Sequence, residues 1–203
     1  MINAENPQIL AASLRLDIDY ARMTQELMPL MQAKQCVAFS YPSDGVEVTA
    51  YSLFLRVSPE HMAYSYRGAK SADFDSWNWD PDLSLTYTRT VIDSMPWRSL
   101  GTVRVVYFPD CACVEHTDWD DAADIKHTLG LSIIPNTAAT HCCVWYEKEQ
   151  RYISMTGNAM LLNDSVRHHV PAGQGTRITM RVFGDIDHAW FTDKIDPAHC
   201  WYL

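Results

Sequence analysis

No run of apolar residues in this chain approaches the roughly 20 needed to cross a bilayer, which excludes a membrane-spanning helix. The opening stretch, MINAENPQILAASLRLDIDY, lacks the basic start and apolar segment of a secretory signal, and the expectation is a cytoplasmic protein. Clusters of Lys and Arg are missing too. Sixteen basic against 25 acidic side chains give a formal charge of −9, which repels phosphate backbones and argues against nucleic acid as a partner. Repeats, low-complexity tracts and linkers are absent, so 203 residues read as one domain, 1–203. Six cysteines are present, but CAC and CC lack the two-residue gap that lets two thiolates reach one zinc. Reduced thiols are expected rather than a disulfide framework. What remains is ordinary for a folded globular chain: 47% hydrophobic and 20% charged residues, which excludes disorder and coiled coil.

The first half reads as a mixed segment. Residues 16–34 place Ile18, Ala21, Leu27, Met28, Leu30 and Met31 largely on one helical face, with Pro29 as a kink or stop. Two strands around Pro42-Ser43-Asp44-Gly45 follow in 37–58. A short helix is expected in 80–100, capped by Asp80 or Asp82 and ended near Pro96. From Gly101 the pattern changes to short β-branched and aromatic runs: TVRVVYF, HTLGLSII, HCCVWYE, QRYISMT, NAMLLN and RITMRVFG. Turns separate them and nothing helical does, which points to a jelly roll rather than a parallel α/β sheet. The expected architecture is mainly β (α+β). An N-terminal helical and strand layer (about 1–100) packs on a double-stranded β-helix (about 101–187), with a C-terminal tail at 188–203.

Chemistry concentrates in Val114-Glu115-His116-Thr117-Asp118-Trp119. In an extended chain His116 and Asp118 share a face, because strand side chains alternate with period two. One imidazole and one carboxylate make two legs of a metal site. A second His would complete the two-His, one-carboxylate triad of non-haem Fe(II) oxygenases, which leaves positions open for cosubstrate and O₂. About 50 residues on come His168 and His169, then Arg177-Ile178-Thr179. Alternation puts Arg177, Thr179 and Arg181 on one strand face. There a guanidinium fork suits a carboxylate, and a hydroxyl can add a donor.

His116-x-Asp118, His168 and Arg177-x-Thr179 together resemble the Fe(II)- and 2-oxoglutarate-dependent dioxygenases, over roughly residues 100–187. The layout of RVVYFPDCACVEHTDWDD and HTLGLSIIPN is similar to the aspartyl/asparaginyl β-hydroxylase-like and small amino-acid hydroxylase branches. The resemblance implies that His116, Asp118 and His168 hold Fe(II) and that Arg177 anchors the distal carboxylate of 2-oxoglutarate. O₂ and 2-oxoglutarate then yield succinate and CO₂ while an unactivated C–H bond is hydroxylated. The substrate would be a small amino-acid-like metabolite or a peptide side chain. Retention of Asp118 favours hydroxylation, or a related oxidation such as desaturation, over halogenation, since the halogenating members of the family this chain resembles carry a small residue there. His168 and His169 point to opposite faces, so only one can be the ligand; His168 is preferred, since Arg177 then follows nine positions later, as the resemblance implies, though eight from His169 is also tolerable.

Other residues carry weaker readings. Tyr107, Thr128 and Ser132 are candidates to bind 2-oxoglutarate from strands lining the barrel. His127 and His141 read as turn or solvent residues. Arg104 and Arg181 read as exposed strand arginines or substrate-carboxylate contacts. Trp77, Trp79, Trp97 and Trp119 read as core or rim aromatics. Residues 63–82 read as a lid or a surface loop. Two other functions stay open: a non-catalytic cupin-like or jelly-roll binding protein, in which HxD is incidental, or a zinc hydrolase with the same three ligands.

Overall fold

The computed structural model describes residues 9–32, 37–43, 46–57, 77–108, 113–118, 127–132, 142–171 and 177–203. Its frame is two antiparallel sheets that face each other. The larger sheet is built around β5 (Trp97–Phe108), β7 (His127–Ser132), β10 (Ala159–Asn163) and β12 (Arg177–Ile186). It is extended by β1 (Ile9–Leu14) and β13 (Ile195–Tyr202) on one side. On the other side lie β3 (Val46–Val57) and β2 (Val37–Ser43), with the short β4 (Asn78–Trp79) against β3. The smaller sheet has the order β6 (Cys113–His116), β11 (His168–Val170), β8 (Cys142–Tyr146), β9 (Arg151–Met155). From β5 to β12 the chain passes back and forth between the sheets, with β8 and β9 forming a hairpin inside the smaller one, in the winding of a double-stranded β-helix, the jelly roll expected from the short apolar runs. Residues 188–203, read from the sequence as a tail, hold α3 (His188–Thr192) and β13.

Strand alternation divides the core. On β5, Val103 and Val105 face one side while Val106 and Phe108 face the other; on β12, Ile178, Met180 and Val182 oppose Arg177, Thr179 and Arg181. The outward residues of the large sheet pack against α1 (Tyr20–Gln32), α2 (Thr86–Asp93) and α3 through Met23, Leu27, Ile92 and Phe191. Each such fully buried side chain contributes about 1.5–3 kcal/mol. Between the sheets lie two smaller apolar clusters. Leu10, Met160 and Leu162 meet Cys142, Val144 and Ile153, and Ala50, Val106 and Phe108 meet Val170. The inward face of β12 runs between them and carries the polar residues.

Two local expectations change. Helix α1 continues through Pro29 to Gln32 rather than stopping there; a helix loses one backbone bond at such a residue and keeps its packing. Helix α2 begins at Thr86 with no side-chain cap from its own N-cap, Leu85, nor from Asp80 or Asp82. Its cap comes from α1 instead: Tyr87 N and Thr88 N donate to the two carboxylate oxygens of Glu26 at 2.6 and 2.7 Å. Burial works against ionising Glu26, but these backbone bonds outweigh it and hold its carboxyl below the usual range. Cys113, Cys142, Cys143 and Cys200 are free thiols. No helix among the described residues is long and apolar enough to cross a membrane.

Candidate metal centre and the adjoining pocket

The smaller sheet assembles the triad. Strand β6 ends at His116, and β11 pairs with it so that His168 lies directly opposite His116. Two residues past His116, Asp118 returns toward the same face and is tied down by its own N–H, which donates to Asp164 O at 2.9 Å. One ligand atom from each of His116, Asp118 and His168 lies within 4.8 Å of the others. His116 Nε2 is 3.3 Å from Asp118 Oδ1, and His168 Nε2 is 3.8 Å from Oδ2.

The ring orientations are fixed from behind. His116 Nδ1 lies 2.7 Å from Val114 O and His168 Nδ1 lies 2.9 Å from Val166 O, each a carbonyl two residues earlier. Both Nδ1 atoms therefore carry the proton that donates to a carbonyl. This turns both Nε2 atoms toward Asp118, the arrangement by which metal-binding histidines are usually held. Burial lowers the pKa of His168 to about 4, so it is a neutral imidazole with a lone pair on Nε2. That side chain is 0% exposed, and Nε2 has no hydrogen-bond partner among the described residues. Burial opposes a charge on His116 as well, but its bond to Asp118 and the nearby Cys113 thiol raise it to about 10. Asp118 is held well below the carboxylate range: burial pushes upward, and the bond from His116 and the Arg181 guanidinium overcome it. A buried nitrogen without a partner, converging with a second imidazole and a carboxylate, is a donor set that fits a divalent transition metal.

Beside the triad, next to Arg181, is a small pocket. Arg177, Thr179 and Arg181 enter it from β12, Gly130 and Leu131 from β7, Cys142 from β8, and Met160, Leu162 and Asp164 from β10 and the turn after it. Arg177 is only 9% exposed and packs over the Phe108 ring, 5.7 Å from its centre. Thr179 Oγ1 is buried with no hydrogen-bond partner among the described residues. A Cβ on Gly130 would lie 3.1 Å from Met160 Cγ, so glycine lets the Met160 side chain pack closely at the pocket wall.

The remaining expected residues fall differently. His169 points to the opposite face of β11, with its ring 4.4 Å from that of Tyr152, so of the two neighbours only His168 joins Asp118. Tyr107 corrects an expectation. It pairs with Ile178 and lies on the outward face, against the core beneath the helices, so alternation turns it away from the pocket. Thr128, Ser132 and His127 are on β7, where the structure describes the backbone and not their side chains. His141, Trp119 and most of 63–82 lie outside the described residues. Arg181, read as an exposed strand arginine, is instead largely buried and donates from Nη1 to Asp118 Oδ2 at 2.7 Å. Arg104 pairs across the strands with Arg181 and lies over the Phe183 ring. Trp79 and Trp97 brace α2, donating to Asp93 Oδ1 and Ile92 O.

Sequence reasoning missed Asp164 and Cys142 as pocket residues. Asp164 follows the last residue of β10 and Cys142 sits in an apolar strand, and neither pattern marks chemistry. Cys142 reaches the pocket because its sheet faces that of Arg177, and Asp164 because β10 and β12 both flank β7.

Comparison with protein-family models finds no match, and neither does comparison with curated proteins. Solved structures do match. A 2OG-Fe(II) oxygenase family oxidoreductase from Burkholderia pseudomallei is 11% identical, with 89% of this chain and 88% of that one covered and a TM-score of 0.55. A prolyl-4-hydroxylase from Pseudomonas putida is 10% identical, with 91% and 95% covered and a TM-score of 0.51. The chain thus shares the jelly-roll fold of these solved oxygenases over nearly its whole length.

Proposed function

We propose that this protein is an Fe(II)- and 2-oxoglutarate-dependent oxygenase that hydroxylates an unactivated C–H bond of a small amino-acid-like metabolite or a peptide side chain. The observation that carries this reading is the buried Nε2 of His168, which has no hydrogen-bond partner among the described residues. It converges with His116 and Asp118 at the edge of a pocket whose far wall is Arg177. His116, Asp118 and His168 would hold the metal. When bound, Fe(II) supplies the means to activate O₂, so that 2-oxoglutarate is oxidised to succinate and CO₂ while one oxygen atom enters the substrate as hydroxyl.

The chain's own residues do the rest. Two guanidiniums and a divalent ion carry four positive charges against the two carboxylates of Asp118 and Asp164, a surplus of two that a dicarboxylate neutralises. Arg177 offers a planar fork to the far carboxylate of such a ligand, and Thr179 adds a hydroxyl donor from the same strand face. Leu131, Met160 and Leu162 make the wall between the charged ends apolar, which suits a short methylene chain and excludes water from it.

Purified protein with Fe(II), 2-oxoglutarate and air should form succinate, alone or with amino-acid and peptide libraries, and formation should stop when O₂ is removed. Under anoxia the Fe(II)–2-oxo acid chelate should add a visible charge-transfer band. A protein that gives neither signal is not this oxygenase. Hydrolysis supported by zinc without O₂ would establish the hydrolase instead, and ligand binding without turnover or metal would establish the binding protein.

A further inference from the structure

The triad holds one carboxylate, and its two oxygens are not equivalent. Asp118 Oδ1 lies 3.3 Å from His116 Nε2. Oδ2 is 3.8 Å from His168 Nε2 but only 2.7 Å from Arg181 Nη1, a charge-assisted bond at the short end of its range. Both partners are largely buried, with side chains 14% and 18% exposed, so water does little to weaken the pair. Arg181 is in turn held on β12 between Met180 and Val182, both fully buried, and pairs in register with Gly130 and Arg104 on the flanking strands. It is a fixed donor.

We propose that Arg181 is a positioning residue that restricts Asp118 to a single coordinating oxygen. A carboxylate can bind a metal through one oxygen or through both, and in the second mode it occupies a further coordination position. With the guanidinium on Oδ2, electron density is drawn toward Arg181 and Oδ1 is the oxygen left to face the metal with the two imidazoles. The position that a second oxygen would fill stays open for the pocket's ligand or for O₂. This rests on the reading of the triad as a metal site. It goes beyond that reading by naming what keeps the site open. It also explains why a cation is tolerated beside a site for a dication, where like charges repel and Arg181 by itself weakens metal binding.

The test uses Co(II), whose d–d absorption reports coordination number and geometry, on the whole chain without 2-oxoglutarate. Wild-type protein should bind Co(II), and His168→Ala should not; failure of that control overturns the metal-site reading itself. Given the control, Arg181→Met should bind Co(II) at least as tightly as wild type, because a like charge has been removed, and should shift the d–d spectrum as Asp118 becomes free to use both oxygens. Arg181→Lys, which keeps a charged donor, should restore the wild-type spectrum. If Arg181→Met proves insoluble, Arg181→Leu carries the same test by removing both the charge and the donor. An unchanged spectrum in the uncharged variant overturns the proposal. So does loss of Co(II) binding in a folded variant, which would mean that Arg181 merely supports the position of Asp118.

Discussion

Arg177→Lys should weaken 2-oxoglutarate binding and leave metal binding nearly intact. Arg177 opens β12 four residues before Arg181 and lines the pocket, and it is not one of the three residues whose ligand atoms converge. A surface pairing of Arg177 with Asp185 or Asp187 would be the rival account, and the strand geometry argues against it. Asp185 is eight residues farther along the same strand, about 27 Å at the rise of an extended chain. Asp187 lies beyond the strand and accepts from Ala189 N and Trp190 N as the cap of α3. Lysine keeps the charge but loses the planar fork and the stacking over Phe108. A hydrogen bond to a charged group is worth about 1.5–3 kcal/mol, and a compact ammonium recovers part of that, so the net loss is about 1–3 kcal/mol. That corresponds to roughly 5- to 150-fold in dissociation constant. Calorimetric titration of 2-oxoglutarate into Mn(II)-loaded protein without O₂ reads it directly, with a separate Mn(II) titration as control. Unchanged 2-oxoglutarate affinity would refute the assignment of Arg177 as the anchor.

Three further outcomes follow from the geometry. His168→Ala should abolish Fe(II) binding while His169→Ala keeps most of it, since the His169 ring rests on Tyr152 across the strand; equilibrium dialysis of both variants checks this, and the reverse result would reassign the ligand. Glu26→Gln should cost about 1 kcal/mol at neutral pH, as for a lost helix cap. Glu26 titrates below its ordinary value in the folded protein, so its contribution is complete above the unfolded pKa and is lost as pH falls through the folded one; chemical denaturation of both proteins should show the gap closing in acid. Gly184→Ala should destabilise by about 1–3 kcal/mol, because a Cβ would sit 2.6 Å from Ser99 O and 2.8 Å from the Trp97 ring at a register shift between β12 and β5. Gly130→Ala should cost less, since the Met160 side chain it meets can move aside; thermal unfolding of the pair in parallel tests the order.

Residue order alone determined the strands and the face each presents. Alternation is a property of the extended chain, so RITMRVFG already set Arg177, Thr179 and Arg181 against Ile178, Met180 and Val182, and His116 with Asp118. The same rule separated His168 from His169. What alternation leaves undecided is which face is inside and what lies across from it, because both faces of the large sheet are buried here. Tyr107 was misassigned for that reason: the pattern of β5 reads equally well either way round, and only packing under the helices turned it outward. The cap of α2 was invisible for a related reason, since Glu26 is about 60 residues away in the chain and nothing local marks it. Arg181 shows the same limit at the site. Its strand face was legible, but its partner Asp118 lies 63 residues earlier, and only the closing of one sheet over the other brings a guanidinium to a carboxylate oxygen.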